Sequence, residues 1–351
     1  MSTEQKPASG RFKKFIIAFA AIVIIALAGT GLFYYLRYFG PNVTDNQEYL
    51  YIKTGSEFED VYTTIREQGI VKDTTTFRWA AINMKYPGRV KPGKYKLTSG
   101  LSNRKFINML AAGNQEPVKV TFKTYRLKDQ FAGAISKQLE ADSISLIRLL
   151  DSAAFVQKYN LTPETVYTMF LPDSYEFYWN TSAEQFVDKM HEYYDKFWTA
   201  ERKQKAADLG LTQAQVSILA SIVDWEALHD DEMPAIAGLY LNRLKKGIKL
   251  QADPTVIFST GDFTIRRVLN RHLITNSPYN TYLHTGLPPG PIMLPSVNAV
   301  KAVLDPLKSN YIYMCAKEDF SGYHNFADNE AEHRQNARRF QKALDERNIK
   351  K

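Results

Sequence analysis

The sequence predicts a mixed α+β protein with one membrane-spanning helix near its N-terminus. Three observations lead there: an uncharged apolar run early in the chain, a strand–helix–helix–strand pattern soon after it, and then a series of helical patterns broken by isolated strands. With 351 residues the chain has room for two or three domains of roughly 100–200 residues each. Hydrophobic residues make up 44% and charged residues 23%, a composition of globular rather than disordered proteins.

The apolar run is Phe15–Leu36, 22 residues without a charge, and about 20 are needed to span the hydrocarbon core of a bilayer. Arg11, Lys13 and Lys14 precede it, and Tyr34, Tyr35 and Tyr38 cluster at its far end, where an aromatic belt sits. The basic flank predicts a cytoplasmic tail over 1–14, a span over 15–36 and a body outside the cytoplasm. A cleaved signal peptide would have a shorter apolar core, about 7–15 residues, ending in small residues. Here the run ends in Phe33-Tyr34-Tyr35-Leu36-Arg37, which favours an uncleaved anchor.

Net charge is +8, of which +3 lies in residues 1–36, so the body carries +5 from 41 basic and 36 acidic residues. That mild excess suits an anionic polymer or membrane surface. No dense Lys/Arg stripe is present, so no nucleic acid partner is expected. Cys315 is the only cysteine, which excludes an intrachain disulfide and a cysteine-based metal site. The six histidines are scattered and form no H-E-x-x-H. With no G-x-S-x-G elbow, Walker loop or dinucleotide fingerprint, neither metal nor cofactor is expected.

Residues 37–47 read as a polar linker with Gly40-Pro41-Asn42 as a breaker. Over 48–98, a strand from Tyr49, Tyr51 and Lys53 is followed by helices at 57–68 and 74–84 and a returning strand at Lys91–Leu97. This order and length resembles the LysM module, a small binder of N-acetylglucosamine polymers. A connecting α/β segment covers 99–160: a helix at 102–112 capped by Ser102, a strand from Pro117 to Lys123 with Val118, Val120 and Phe122 on one face, and helices near 127–140, 143–150 and 152–159. From Leu161 the texture changes, and 161–345 forms the last domain. An aromatic-rich loop at Met169–Tyr175 precedes a long amphipathic helix over 182–208. Thr212 then opens a helix with Gln215 completing a capping box, and Val216, Leu219, Ile222 and Val223 fall at helical spacing. A further helix spans 233–246, with Gly247 as its C-terminal stop. Beyond it the chain is dense in Pro, Gly, Asn and Thr and looks loop-like, and such long stretches are usually functional.

Glu226 is the acid that stands out. It ends the apolar run Ile218–Val223 one turn beyond Ile222, where apolar walls would disfavour its charged form and raise its pKa. That suits a general acid near neutral pH; the structural alternative is a pair with an arginine such as Arg243. Asp224 invites a two-carboxylate reading, but residues two apart on a helix point about 200° from each other, so the two should not flank one bond. Three further constellations follow. Asp253, in Gln251-Ala252-Asp253-Pro254-Thr255-Val256, precedes a proline and is expected outside a helix, at the start of a loop. Pro278-Tyr279-Asn280-Thr281-Tyr282 leads into the rigid Gly286-Leu287-Pro288-Pro289-Gly290-Pro291, with Asn280 and Tyr282 as suitable sugar ligands. Tyr323-His324-Asn325-Phe326 is the last. Taken singly, each is more often structural.

Taken together, these segments resemble the endolytic murein transglycosylase family, the YceG-like proteins. Leu219-Ala220-Ser221-Ile222-Val223-Asp224-Trp225-Glu226 is similar to that family's signature, and Leu241-Asn242-Arg243-Leu244, Leu250–Ile257 and Asn280 through Gly290 match in the family's order. The resemblance covers roughly residues 45–345. It departs from the pattern at Asp224, where members often have Glu, and at Ala227, where many have Thr. It implies a bacterial inner-membrane protein whose outer body non-hydrolytically cuts the β-1,4 bond between N-acetylmuramic acid and N-acetylglucosamine. Glu226 would be the catalytic residue, and Asn242, Gln251, Asp253, Thr255, Asn280, Tyr282 and His324 would bind substrate. Asp253, Asn280, Tyr282 and His324 are expected to line one groove with Glu226. The implied partners are peptidoglycan strands and the cell-wall synthesis machinery, penicillin-binding proteins among it. A hydrolytic muramidase and a non-catalytic wall-binding anchor are the competing readings.

Overall fold

In the computed structural model, which describes residues 9–347, the apolar run forms helix α1 (Ser9–Phe39). Residues 1–8 of the expected tail lie outside the described residues. The stretch Phe12–Phe39 is long and apolar enough to cross a membrane, and its most apolar window is unburied. The helix runs past Leu36 to Phe39 and stops at Gly40, where a Cβ would meet the Leu36 carbonyl oxygen.

The chain divides into two compact units, Met1–Val118 with Tyr178–Asn180, and Lys119–Phe177 with Thr181–Lys351. In the first, β1 (Tyr49–Ile52), α2 (Phe58–Glu67), α3 (Thr74–Asn83), β2 (Gly93–Lys96) and α4 (Asn103–Ala112) follow one another. The strands pair antiparallel with Leu50 opposite Tyr95. Asp73 starts α3 by accepting from the Thr75 and Thr76 amides. Leu50, Ile65, Phe77, Tyr86, Tyr95 and Phe106 are fully buried, and each such side chain contributes roughly 1.5–3 kcal/mol of burial. The stretch expected as a linker, 37–47, is folded onto this core: Val43 is buried, and the Asn42 amide donates to the Asn103 side chain at 2.8 Å and to the Asp73 carbonyl at 2.9 Å. Gly40-Pro41 ends the helix as expected, but the residues after it find partners at once.

In the second unit, β3 (Val118–Thr121) pairs with β4 (Ser174–Phe177). Between them lie α5 (Lys128–Ser136), α6 (Ser143–Asp151) and α7 (Ala153–Val156). The helix expected over 182–208 is two, α8 (Ala183–Phe197) and α9 (Ala200–Asp208). Thr199 adopts extended backbone, and its hydroxyl accepts from the Arg202 amide at 3.3 Å. A threonine that caps one helix cannot continue the previous one, and Trp198 fills the corner, buried.

Helix α10 (Gln213–Glu226) is the centre of this unit. Thr212 and Gln215 form its capping box, and Val216 through Val223 are all buried. It packs against α11 (Met233–Lys245), α12 (Asp253–Thr260) and α14 (Val297–Leu304). The stretch that looked loop-like therefore carries α12, the short α13 (Asn270–Leu273), α14, the hairpin β5 (Tyr313–Ala316) and β6 (His324–Ala327), and α15 (Glu330–Glu346). Its elements are short, and β5 is half-buried on both faces, so no alternation marks it. The whole is mixed α+β, with three two-stranded sheets among the described residues.

Candidate active site

Helix α10 ends at Glu226 because Ala227 turns to extended backbone, φ −78° and ψ 126°. The Glu226 side chain thus leaves the buried stem of α10 into a cavity of about 410 Å³. From α11, the Tyr240 hydroxyl donates to Glu226 Oε1 at 2.9 Å. Burial pushes the Glu226 carboxyl up to about 7; the Tyr240 hydrogen bond pulls it back, and the negative charge of Asp253 pushes it up again. Part of the residue's surface still faces the cavity, while protein atoms crowd the carboxyl from the other sides. Its place at the negative end of a helix acts in the same upward direction.

The pair with Arg243 does not form. The Arg243 guanidinium, buried on α11, donates to the Lys249 carbonyl at 2.9 Å, to the Ile312 carbonyl at 2.7 Å and to the Gln251 side-chain oxygen. It fastens both the hairpin and Gln251 to α11. Gln251 is one of four non-glycine residues at positive φ among the described residues, at +52°, a conformation that costs of order 1 kcal/mol and clusters at functional sites.

Asp253 is the first residue of α12, which corrects the expectation of a loop start. Pro254 sits in the first helical turn, where its missing N–H would have no partner anyway. The Tyr282 hydroxyl donates to Asp253 Oδ1 at 2.7 Å. Crowding by protein raises the Asp253 carboxyl pKa although its side chain reaches solvent in the cavity, and the Tyr282 bond opposes that rise. His324 opens β6. Its amide and Nδ1 both meet the buried Glu232 carboxylate, at 2.6 Å and 2.8 Å. A carboxylate only accepts, so Nδ1 carries the proton and Nε2 is left for the cavity.

The cavity therefore brings together Glu226, Gln251, Asp253, Tyr282 and His324. Asn280, expected in the same groove, and Asn242 and Thr255, expected to bind substrate, do not line it. The Asn242 amide donates to the Ser309 and Tyr311 carbonyls at 2.8 Å and 3.0 Å. Thr255 is fully buried against Thr281, 2.8 Å between hydroxyls. Asn280 is also fully buried; it donates to the Leu273 and Thr275 carbonyls and accepts from the Tyr282 amide at 3.0 Å. Their polar groups are spent on structure: Asn242 holds the chain that leads into β5, while Thr255 and Asn280 fix the segment that carries Tyr282. Asp224 turns away from Glu226 and accepts from the Ser296 amide and hydroxyl at 2.9 Å and 2.8 Å, at the cap of α14. The Gly286–Pro291 segment is a structural clamp: the Ile292 amide donates to Ser221 Oγ of α10 at 3.0 Å, and a Cβ on Gly290 would collide with the Glu164 carbonyl.

Sequence reasoning missed Tyr240, Tyr313 and His333. Tyr240 sits among the apolar positions of α11 and looks like core. His333 lies on α15 with its ring stacked on Tyr313 at 4.9 Å between centroids, and burial and Arg243 hold it below the usual imidazole range. Nothing in the local sequence marks either of the two. Among the described residues, no group of three His, Cys, Asp or Glu side chains is placed to hold a metal ion.

A carboxyl pushed up to about 7, held by a tyrosine at a helix end and faced by a second raised acid across a polar cavity, is the arrangement of an acid–base centre. The YceG-like family matches residues 50–339, and the chain belongs to that family. It is 28% identical over 290 residues to the endolytic murein transglycosylase of Bacillus subtilis, covering 76% of this chain and 78% of that protein. The endolytic murein transglycosylase of Streptococcus pneumoniae strain R6 is 26% identical over an alignment of 362 positions that covers 92% of this chain and 64% of that longer relative. The crystal structure of a YceG-like protein from Listeria monocytogenes superposes with a TM-score of 0.53 at 25% identity, over 82% of this chain and 98% of that one.

Proposed function

We propose that this chain is an endolytic lytic transglycosylase that cuts the β-1,4 bond between N-acetylmuramic acid and N-acetylglucosamine in peptidoglycan. The observation that carries the reading is the Glu226 carboxyl, raised to about 7 and hydrogen-bonded to Tyr240 in an open cavity. The names of the relatives point to the same polymer. In the reaction, protonated Glu226 gives its proton to the glycosidic oxygen as the C1–O bond breaks. The muramic C6 hydroxyl attacks C1, and its proton returns to the Glu226 carboxylate. One product ends in a 1,6-anhydro ring, no water is consumed, and the acid is regenerated. Asp253 opposes the positive charge that develops at C1, while Gln251, Tyr282 and His324 contact the glycan. Asn242, Thr255 and Asn280 act by shaping the loops.

Asp253 also favours a second reading. A carboxylate in the same cavity could activate water, as in hydrolysing glycosidases. The products separate the two: digestion of sacculi should release fragments with anhydro ends, and reducing ends in their place would mean hydrolysis.

In this account residues 161–345 are the catalytic domain, 99–160 connect, and 48–98 are a LysM-like glycan binder. The last rests on the β1-α2-α3-β2 order and on a cavity of about 540 Å³ beside it, lined by Ser56, Phe58, Ile82 and Pro87. Helix α1 holds the chain in the bacterial inner membrane with residues 1–14 cytoplasmic and the body outside. There it trims or terminates new strands beside the penicillin-binding proteins.

A further inference from the structure

The second unit has another cavity, of about 330 Å³, that the chemistry above does not use. Arg126 lies on its wall. The guanidinium stands over the Trp225 ring at 4.2 Å and within 5.8 Å of Phe263. Trp225 is the residue before Glu226, and its ring stacks with Phe263. Among the described residues Arg126 makes no hydrogen bond and no ion pair, so an exposed planar fork is held in place by rings with its donors unspent. Such a fork matches a carboxylate.

The other charges of the cavity define the ligand further. Lys128 is consumed, by Asp151 at 2.7 Å and the Pro163 carbonyl at 2.7 Å. Glu164 is exposed and holds no ion pair among the described residues; the Thr162 hydroxyl and its own amide meet its side chain, and the Lys128 charge, itself held by Asp151, acts on it only from a distance. One unspent cation and one unpaired acid remain. The cavity is also lined by apolar faces, Phe258 against Tyr279 at 4.8 Å between centroids, and by the buried Tyr167. A neutral sugar would use neither charge, and a simple anion would be repelled by Glu164.

We propose that this cavity binds the peptide arm of the substrate, with a carboxylate on Arg126 and an ammonium on Glu164. The assignment rests on the reading that peptidoglycan is the substrate, and it adds that the enzyme recognises the peptide as well as the sugar. The Arg126–Trp225 stack ties that recognition to the end of the helix that bears Glu226.

The test uses the full chain in detergent micelles and calorimetric titration of a short peptide with a free C-terminal carboxylate and a free side-chain amine. A charge-assisted contact is worth about 1.5–3 kcal/mol, so affinity should fall roughly tenfold or more on C-terminal amidation of the peptide or on Arg126→Gln. Acetylation of the amine should weaken binding to the wild type but not to Glu164→Gln. In parallel, wild type should cut peptide-bearing strands faster than strands stripped of peptide, and Arg126→Gln should lose that preference; Arg126→Lys should restore it only in part, because a lysine lacks the fork. Equal binding of the free and amidated peptides, or wild-type binding by Arg126→Gln, overturns the assignment. Cutting without peptide binding overturns it too and leaves the proposed function standing. Peptide binding by a chain that releases nothing from sacculi upholds the cavity and sinks the proposed function instead.

Discussion

Replacing Glu226 by Gln should make the protein more stable at neutral and alkaline pH, and no more stable in acid. The carboxyl rises from an ordinary 4.5 to about 7 on folding. A raised carboxyl pKa means that the folded state binds the proton more tightly than the unfolded one, so wild-type stability falls as pH rises from about 4.5 to about 7 and stays lowered above that. At about 1.4 kcal/mol per pKa unit, the penalty above pH 7 is roughly 3 kcal/mol. That is an upper bound, because the cavity mouth lets solvent screen part of the charge. Gln is neutral, keeps the volume, and its carbonyl oxygen can still accept the Tyr240 hydroxyl. Urea unfolding of the two proteins at a series of pH values should give coincident stabilities near pH 4 and a gap that opens through the window and levels off. A constant difference across pH, or a variant less stable at pH 8, would refute the claim that the fold strains this carboxylate.

Three further outcomes follow from the same contacts. Tyr240→Phe removes the one hydrogen bond that lowers the Glu226 pKa, so the alkaline limb of the pH–rate profile, where the acid loses its proton, should move to higher pH while the maximal rate drops. Asp224→Asn leaves one acceptor where Ser296 now has two; thermal melts should show a loss of about 1 kcal/mol, with a cutting rate close to wild type. Gly290→Ala drives a methyl into the Glu164 carbonyl and should cost about 1–3 kcal/mol in a denaturant titration, with lost activity following the lost fold.

Much of helix α10 is legible because its signals are local. The Thr212–Gln215 box, the buried run from Val216 to Val223 and the stop at Gly247 after the next helix are written in consecutive residues. Glu226 stands out for the same reason: an acid one turn past an apolar run is set beside apolar walls by the helical repeat itself. What lies across the cavity is less readable. Tyr240 reaches Glu226 only because α11 packs on α10, and His333 arrives from α15 at the far end of the chain. Asn242, Thr255 and Asn280 sit in the matching motifs, yet their polar groups are turned inward to carbonyls and hydroxyls. A motif shows which residues matter together; it does not separate those that face the cavity from those that hold its walls. Asp253 is misplaced by a local rule applied alone, since the proline that bars a helix before it also opens one, and the single helix expected over 182–208 breaks where Thr199 caps a second.

The central claim is that one carboxyl, Glu226, both gives and recovers the proton without water. It is tested most directly by incubating sacculi with wild type, Glu226→Gln and Asp224→Asn at equal concentration and measuring anhydro-ended fragments by mass spectrometry, with thermal melts to show that each variant is folded. A positioned acid or base contributes about 10²–10⁴-fold, and here one group serves both steps. Folded Glu226→Gln should therefore lose activity at or above the top of that range, while Asp224→Asn continues to cut. Release of anhydro ends by Glu226→Gln at a rate near wild type, with Asp224→Asn silent, would contradict the account.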